Sequence, residues 1–136
     1  MHEDALKKEA ERARKTNIIL FSIFLFIAAG IVIGVFIFKA QHTFTQEKWL
    51  HNVEDRYQMV DHLLDEYQLI GMTEAEVLQL LGNEEGTEQT SFKLSKEYYP
   101  PEDTLVYYLG VDYMDAVWLV ISLENGVVVD YCIDQS

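Results

Sequence analysis

The chain has 136 residues, 49% apolar and 24% charged, with a formal net charge of −13, one cysteine and two prolines. That length holds one modest domain and argues against a multi-domain enzyme. One cysteine excludes an intrachain disulfide and a four-cysteine zinc site, and the acidic balance argues against nucleic acid as a partner, because affinity there comes largely from Lys and Arg on phosphates.

The first element is an apolar run. From Ile18 to Phe38, 18 of 21 residues are Ile, Leu, Val, Phe or Ala, and the other three are Ser22, Gly30 and Gly34. At about 1.5 Å per residue such a helix is roughly 30 Å long, enough to cross a hydrocarbon core. The run exceeds a signal-peptide apolar region, and Phe38-Lys39-Ala40 puts a bulky side chain where cleavage needs a small one. The expectation is an uncleaved single-pass anchor. Lys7, Lys8, Arg12, Arg14 and Lys15 precede it, whereas Lys39 and Lys48 follow. The positive-inside rule then puts the N-terminus in the cytoplasm and the remaining chain outside the cytoplasmic (plasma) membrane. Gly30-x-x-x-Gly34 is a small-xxx-small pair through which two such helices could dimerise, although glycine is also simply common in membrane helices. The expected layout is a charged tail at 1–16, a transmembrane helix at 17–38, a juxtamembrane linker at 39–48 and a folded domain at 49–136.

Trp49, Val53, Tyr57, Val60, Leu64 and Tyr67 recur at helical spacing and predict one amphipathic helix, with Asn52 as an alternative N-cap. A second helix is predicted over Glu74–Leu81. Thr73 and Glu76 form a capping box, Met72 and Val77 a hydrophobic staple, and Gly82 a left-handed stop. The period then changes to two. Strands are expected at Thr104–Leu109, Val117–Leu123 and Val127–Ile133, with a weaker one at Thr90–Leu94. Glu124-Asn125-Gly126 joins the last pair. A three-residue loop would set Leu123, Ile121 and Leu119 opposite Val127, Val129 and Tyr131 and make one face wholly apolar, with Gly126 as the left-handed residue. The opposite face, with Trp118, Val120, Ser122, Val128, Asp130 and Cys132, is mixed. Either the domain's own loops cover it or it is a contact surface. The fold class is α+β: a transmembrane helix, then two helices packed on a three- to four-stranded antiparallel sheet.

Gly71-Met72-Thr73, Glu76-Val77 and Leu80-Leu81-Gly82, followed by Leu123-Glu124-Asn125-Gly126-Val127, resemble the SmpA/OmlA domains, the BamE-like small subunit of the β-barrel assembly machinery. The pattern is also similar to small bacterial membrane-anchored proteins. There it runs from Trp49 through Arg56, Met59-Val60-Asp61, Tyr107-Tyr108-Leu109-Gly110 and Trp118-Leu119 to the Asn-Gly hairpin. The resemblance implies two helices against a three-stranded antiparallel sheet, a fold shared with β-lactamase-inhibitor-type domains, and a role in envelope assembly. Assembly subunits of that family carry a lipidated cysteine, and no cysteine stands near the anchor here.

No catalytic, cofactor or metal site emerges from the residue pattern. His51 and His62 do not share a helical face, Asp61-His62 with Asp65-Glu66 reads as a solvated acidic face, and Cys132 is a lone thiol. Arg56, the only arginine after the anchor, is expected in a local ion pair. The expected contact residues are Tyr98, Tyr99, Pro100 and Pro101, rigid aromatics and prolines on one loop, together with Trp118. The function these features favour is a non-enzymatic, membrane-anchored interaction module with an envelope protein as partner. The alternatives are an accessory subunit acting through its transmembrane helix and an inhibitor-type domain.

Overall fold

A computed structural model of the chain describes residues 2–85, 94 and 99–136. It divides into two compact units, Met1–Ala40 and Gln41–Ser136. Helix α1 begins at His2 and runs unbroken to His42, two residues past the first unit, and it is long and apolar enough to cross a membrane. The one hydroxyl inside the apolar run is satisfied within the helix, Ser22 Oγ donating to the Ile18 carbonyl at 2.9 Å.

The second unit begins earlier than expected. Of the linker expected at 39–48, the part from Gln41 belongs to this unit: Phe44 is buried and meets Trp49 and Tyr67 edge-on, at ring-centroid distances of 5.8 and 5.5 Å. Thr45 caps a short helix, α2 (Gln46–His51), by accepting from Lys48 N–H. The single helix expected from Trp49 to Tyr67 is broken. Asn52 interrupts it, a 3-10 turn spans Val53–Asp55, and α3 covers Arg56–Glu66. Asn52 makes no side-chain cap bond. The break resets the helical phase, so α3 buries Arg56, Met59, Val60 and Leu63, while Tyr57 is half exposed.

Helix α4 (Glu74–Leu81) begins as the capping box requires. Thr73 Oγ1 accepts from Glu76 N–H at 3.3 Å, and the Glu76 carboxylate accepts from Thr73 N–H at 2.8 Å. The bond from Thr73 N–H, and a second from the Thr73 hydroxyl to Glu76 Oε2 at 2.9 Å, hold the Glu76 carboxyl below its ordinary pKa. Val77 and Leu81 are buried, Leu80 and Met72 pack against the same core, and Gly82 ends the helix at φ 80°.

The sheet is an antiparallel meander, β1 (Thr104–Asp112), β2 (Asp115–Glu124) and β3 (Val127–Gln135), in the order β1-β2-β3. A fourth strand at Thr90–Leu94 lies outside the described residues, except for Leu94 itself. The β2–β3 connection corrects the expected register. Its turn has two residues, Asn125 (φ 52°) and Gly126 (φ 76°), and Glu124 pairs with Val127. That turn alone would place Ile121 opposite Asp130. A bulge at Val129 adds one residue to β3, sets Ile121 against Tyr131 and Leu119 against Ile133, and leaves Val129 facing solvent. The apolar face was therefore achieved by a tight turn plus a bulge, because positive φ at both turn positions suits Asn-Gly and the core still demands the alternation. Replacing Gly126 by Val should cost about 2 kcal/mol, since a β-branched residue is strained at that backbone angle. An unchanged thermal melt would contradict this turn.

The two sequence motifs touch. Gly71 N–H donates to the Val128 carbonyl, Val128 N–H to the Met72 carbonyl, and Glu74 N–H to the Gly126 carbonyl, all at 2.8–2.9 Å. The Gly-Met-Thr segment thus runs along the start of β3 and ties the α4 cap to the hairpin. Between sheet and helices lies the main core, centred on Trp49, Met59, Leu63, Val77, Leu81, Tyr107, Leu119 and Ile121.

Candidate functional site

The far face of the sheet is covered by the chain itself. Leu94 and Tyr99 lie over Val106, Trp118 and Val120 in a second, smaller core, with Tyr108, Ala116 and Cys132 packed against it. This corrects two expected contact residues. Tyr99 is only 5% exposed and Trp118 only 8%. The Tyr99 hydroxyl donates to Asp134 Oδ2 at 3.1 Å and lies 3.2 Å from Cys132 Sγ, and Trp118 Nε1 donates to Ser136 Oγ at 3.3 Å. Pro100 is exposed and Pro101 half-buried at the head of a 3-10 turn that leads into β1. Tyr98 lies outside the described residues. Gly30 and Gly34 both open onto free space, with nothing within 4 Å of where a Cβ would stand.

Two tyrosines are held neutral by the fold. Burial, followed by Cys132 and Asp134, pushes the Tyr99 phenol above its ordinary value. Burial, followed by Glu84 and Glu85, does the same for Tyr107, whose hydroxyl donates to the Gly82 carbonyl at 2.9 Å. Their pKa is raised in the folded state, so their contribution is complete below about pH 10 and declines as pH rises beyond it. Each can remove up to about 1.4 kcal/mol per pH unit there. In an alkaline titration, at least these two phenols should ionise together with loss of near-ultraviolet ellipticity. Simple non-cooperative ionisation of all tyrosines would contradict the buried hydroxyls.

Arg56 is the polar centre of the domain. It is 2% exposed. Its Nε donates to the Trp49 carbonyl at 2.7 Å, and one terminal nitrogen reaches both Glu85 carboxylate oxygens, at 2.7 and 2.6 Å, and the Tyr108 carbonyl at 3.1 Å. The guanidinium carbon stands 4.8 Å from the centroid of the Trp49 ring. This is the expected local ion pair, but its burial was not legible from the sequence. Glu85 also accepts from Tyr108 N–H, and Glu84 from Val106 N–H, so the two carboxylates cap the outer edge of β1. Beside them a cleft of about 320 Å³ is lined by Glu74, Glu84, Glu102, Thr104 and the apolar Leu78, Leu105 and Leu123. Among the described residues, no group of three or more His, Cys, Asp or Glu is placed to hold a metal ion.

The surface feature that sequence reasoning missed is the β1–β2 hairpin tip. Asp112 pairs with Asp115, leaving a two-residue turn of Tyr113 and Met114. Tyr113 is 98% exposed, Met114 93% and Val111 60%. Tyr113 also sits at φ 57°, a left-handed backbone that normally falls to Gly or Asn. A turn whose two central positions are Tyr and Met gives no clear hairpin signal, so the expected strands stop at Leu109 and resume at Val117. The signal available was the Tyr-Met pair itself, apolar side chains in a position that has no core to enter. The comparisons add no identity: no family model, curated protein or solved structure matches this chain.

Proposed function

We propose that this protein is a non-enzymatic interaction module, anchored by α1 in the cytoplasmic membrane, whose folded unit works on the outer side by docking an envelope protein. The observation that carries this reading is the bare Val111–Met114 tip. The domain encloses Trp49, Tyr99, Tyr107 and Trp118 in two cores, yet presents one aromatic and one methionine almost fully to solvent on a strained turn. Backbone strain at an exposed apolar site is a mark of recognition surfaces, and Met and Tyr are suited to contact because they offer large apolar area. The orientation is supported by the basic residues that precede the apolar run within α1, and an assembly role by the resemblance to SmpA/OmlA domains. A photo-crosslinking residue at Met114 in the full chain, expressed in its own membrane, should yield one discrete protein adduct. Adducts only to lipid, or a smear of abundant bystanders, would overturn the reading. Protease added to spheroplasts should degrade the C-terminal unit and spare residues 1–16; the reverse pattern would invert the topology.

A second reading, an accessory subunit acting through its anchor, is favoured by the open space beside Gly30 and Gly34, which would let another helix backbone approach. A chimera with an unrelated anchor separates the two. Activity retained assigns the function to the folded unit, and activity lost assigns it to the helix.

A further inference from the structure

We infer that the β1–β2 tip fits an apolar socket on a partner protein whose rim carries Lys or Arg. This rests on the interaction-module reading and names the chemistry of the partner. Asp112 and Asp115 face each other directly across the hairpin, one residue to either side of the Tyr113-Met114 turn. Like charges opposite one another on an antiparallel pair are unfavourable. Among the described residues neither aspartate has an ion-pair partner. Asp112 has only a long contact, 3.5 Å, from Gln135 Nε2. The one arginine of this unit is committed to Glu85, 2.6 Å away, and Lys48 donates to the Thr43 carbonyl. Among the described residues, then, no cation relieves the repulsion.

Three locally unfavourable choices meet at one point: a tyrosine at positive φ, two facing carboxylates, and exposed Val111, Tyr113 and Met114. Such concentrated conflict with the rest of a consistent fold is expected where a site serves binding. A single complementary surface resolves two of the three. An apolar pocket takes the Tyr113 ring and the Met114 thioether, and a cationic side chain at its rim bridges the two carboxylates, with a charge-assisted hydrogen bond to each. A bilayer is a poor occupant, because inserting Tyr113 and Met114 would carry both carboxylates into a layer of phosphates. A second copy of this chain is poor too, since it would meet the pair with the same two negative charges.

The test uses the full chain in its native membrane with the photo-crosslinker at Met114. The Asp112→Asn/Asp115→Asn double variant should reduce the protein adduct at least tenfold, and Asp112→Glu/Asp115→Glu should retain it. Mapping of the adducted peptide should place a Lys or Arg beside the crosslinked residue. The double Asn variant should raise, not lower, the melting temperature in detergent, so a lost adduct is not lost folding. An adduct unchanged in the Asn variant, or mapped to an acidic or uncharged surface, overturns the basic rim and leaves the interaction module standing. Absence of any discrete protein adduct in the unsubstituted aspartate background overturns the interaction reading itself.

Discussion

Gly110→Ala should destabilise the folded unit by about 3 kcal/mol or more, the largest effect expected of any one-carbon change here. Gly110 follows a bulge at Leu109, where β1 slips by one residue against β2, and it takes φ 131°, which L side chains rarely adopt. A Cβ there would stand 2.6 Å from the Glu54 carbonyl oxygen, a backbone atom of the 3-10 turn that cannot rotate away. Backbone strain and a steric clash therefore act together. Gly71 is the control. Its φ is +93°, but nothing lies within 4 Å of its would-be Cβ, so Gly71→Ala should cost only about 1 kcal/mol, from conformation alone. Urea unfolding of the full chain in detergent, followed by tryptophan emission, measures both. Equal losses in the two variants would show that the close approach of β1 to the 3-10 turn is not made.

Arg56→Met should cost about 3–4 kcal/mol, despite nearly matching volume. It strips the hydrogen bonds from the Trp49 and Tyr108 carbonyls and leaves the Glu85 carboxylate to find water from a one-third exposed position. Arg56→Lys should recover less than half of that loss. One ammonium cannot reach the Trp49 carbonyl and Glu85 together, whereas the guanidinium spans them from two different nitrogens. Adding Glu85→Gln to Arg56→Met should cost less than the sum of the two single changes, because the pair shares one interaction. Strict additivity would show that the ion pair carries no coupling energy.

The sequence and the structure agree where the information is local. The long first helix needs only a run of apolar residues, and the α4 cap only Thr73 and Glu76 three apart; Asn125-Gly126 marks the β2–β3 turn, but its two-residue length and the bulge that follows depend on the pairing of whole strands. The α+β class followed from the change of period after Gly82. What was not legible depends on distant partners. The phase of α3 could not be read because Asn52 breaks the helix and turns the buried face from Tyr57 and Leu64 to Arg56, Met59 and Leu63. Nothing near Arg56 in the chain announces Glu85, 29 residues away, and only that partner makes its burial affordable. Phe44 looked like part of a tether because its ring partners are Trp49 and, 23 residues on, Tyr67. Two of the expected contact residues are buried for a similar reason. Tyr99 and Trp118 are large aromatics on an exposed-looking pattern, but the sheet has a second face to cover, and they cover it. The bare aromatic lies instead in a turn whose composition hid it.

The carboxylates of Glu84 and Glu85 stand where the carbonyls of a neighbouring strand would stand, accepting from Val106 and Tyr108 N–H. A protein fixed to a surface meets its own copies far more often than one dissolved in three dimensions, and a bare strand edge would then template stepwise polymerisation. An incoming strand would have to evict Glu85 from its guanidinium partner before it could pair. The same ion pair that organises the interior thus also guards the flank of the sheet, so close crowding of copies need not end in filaments.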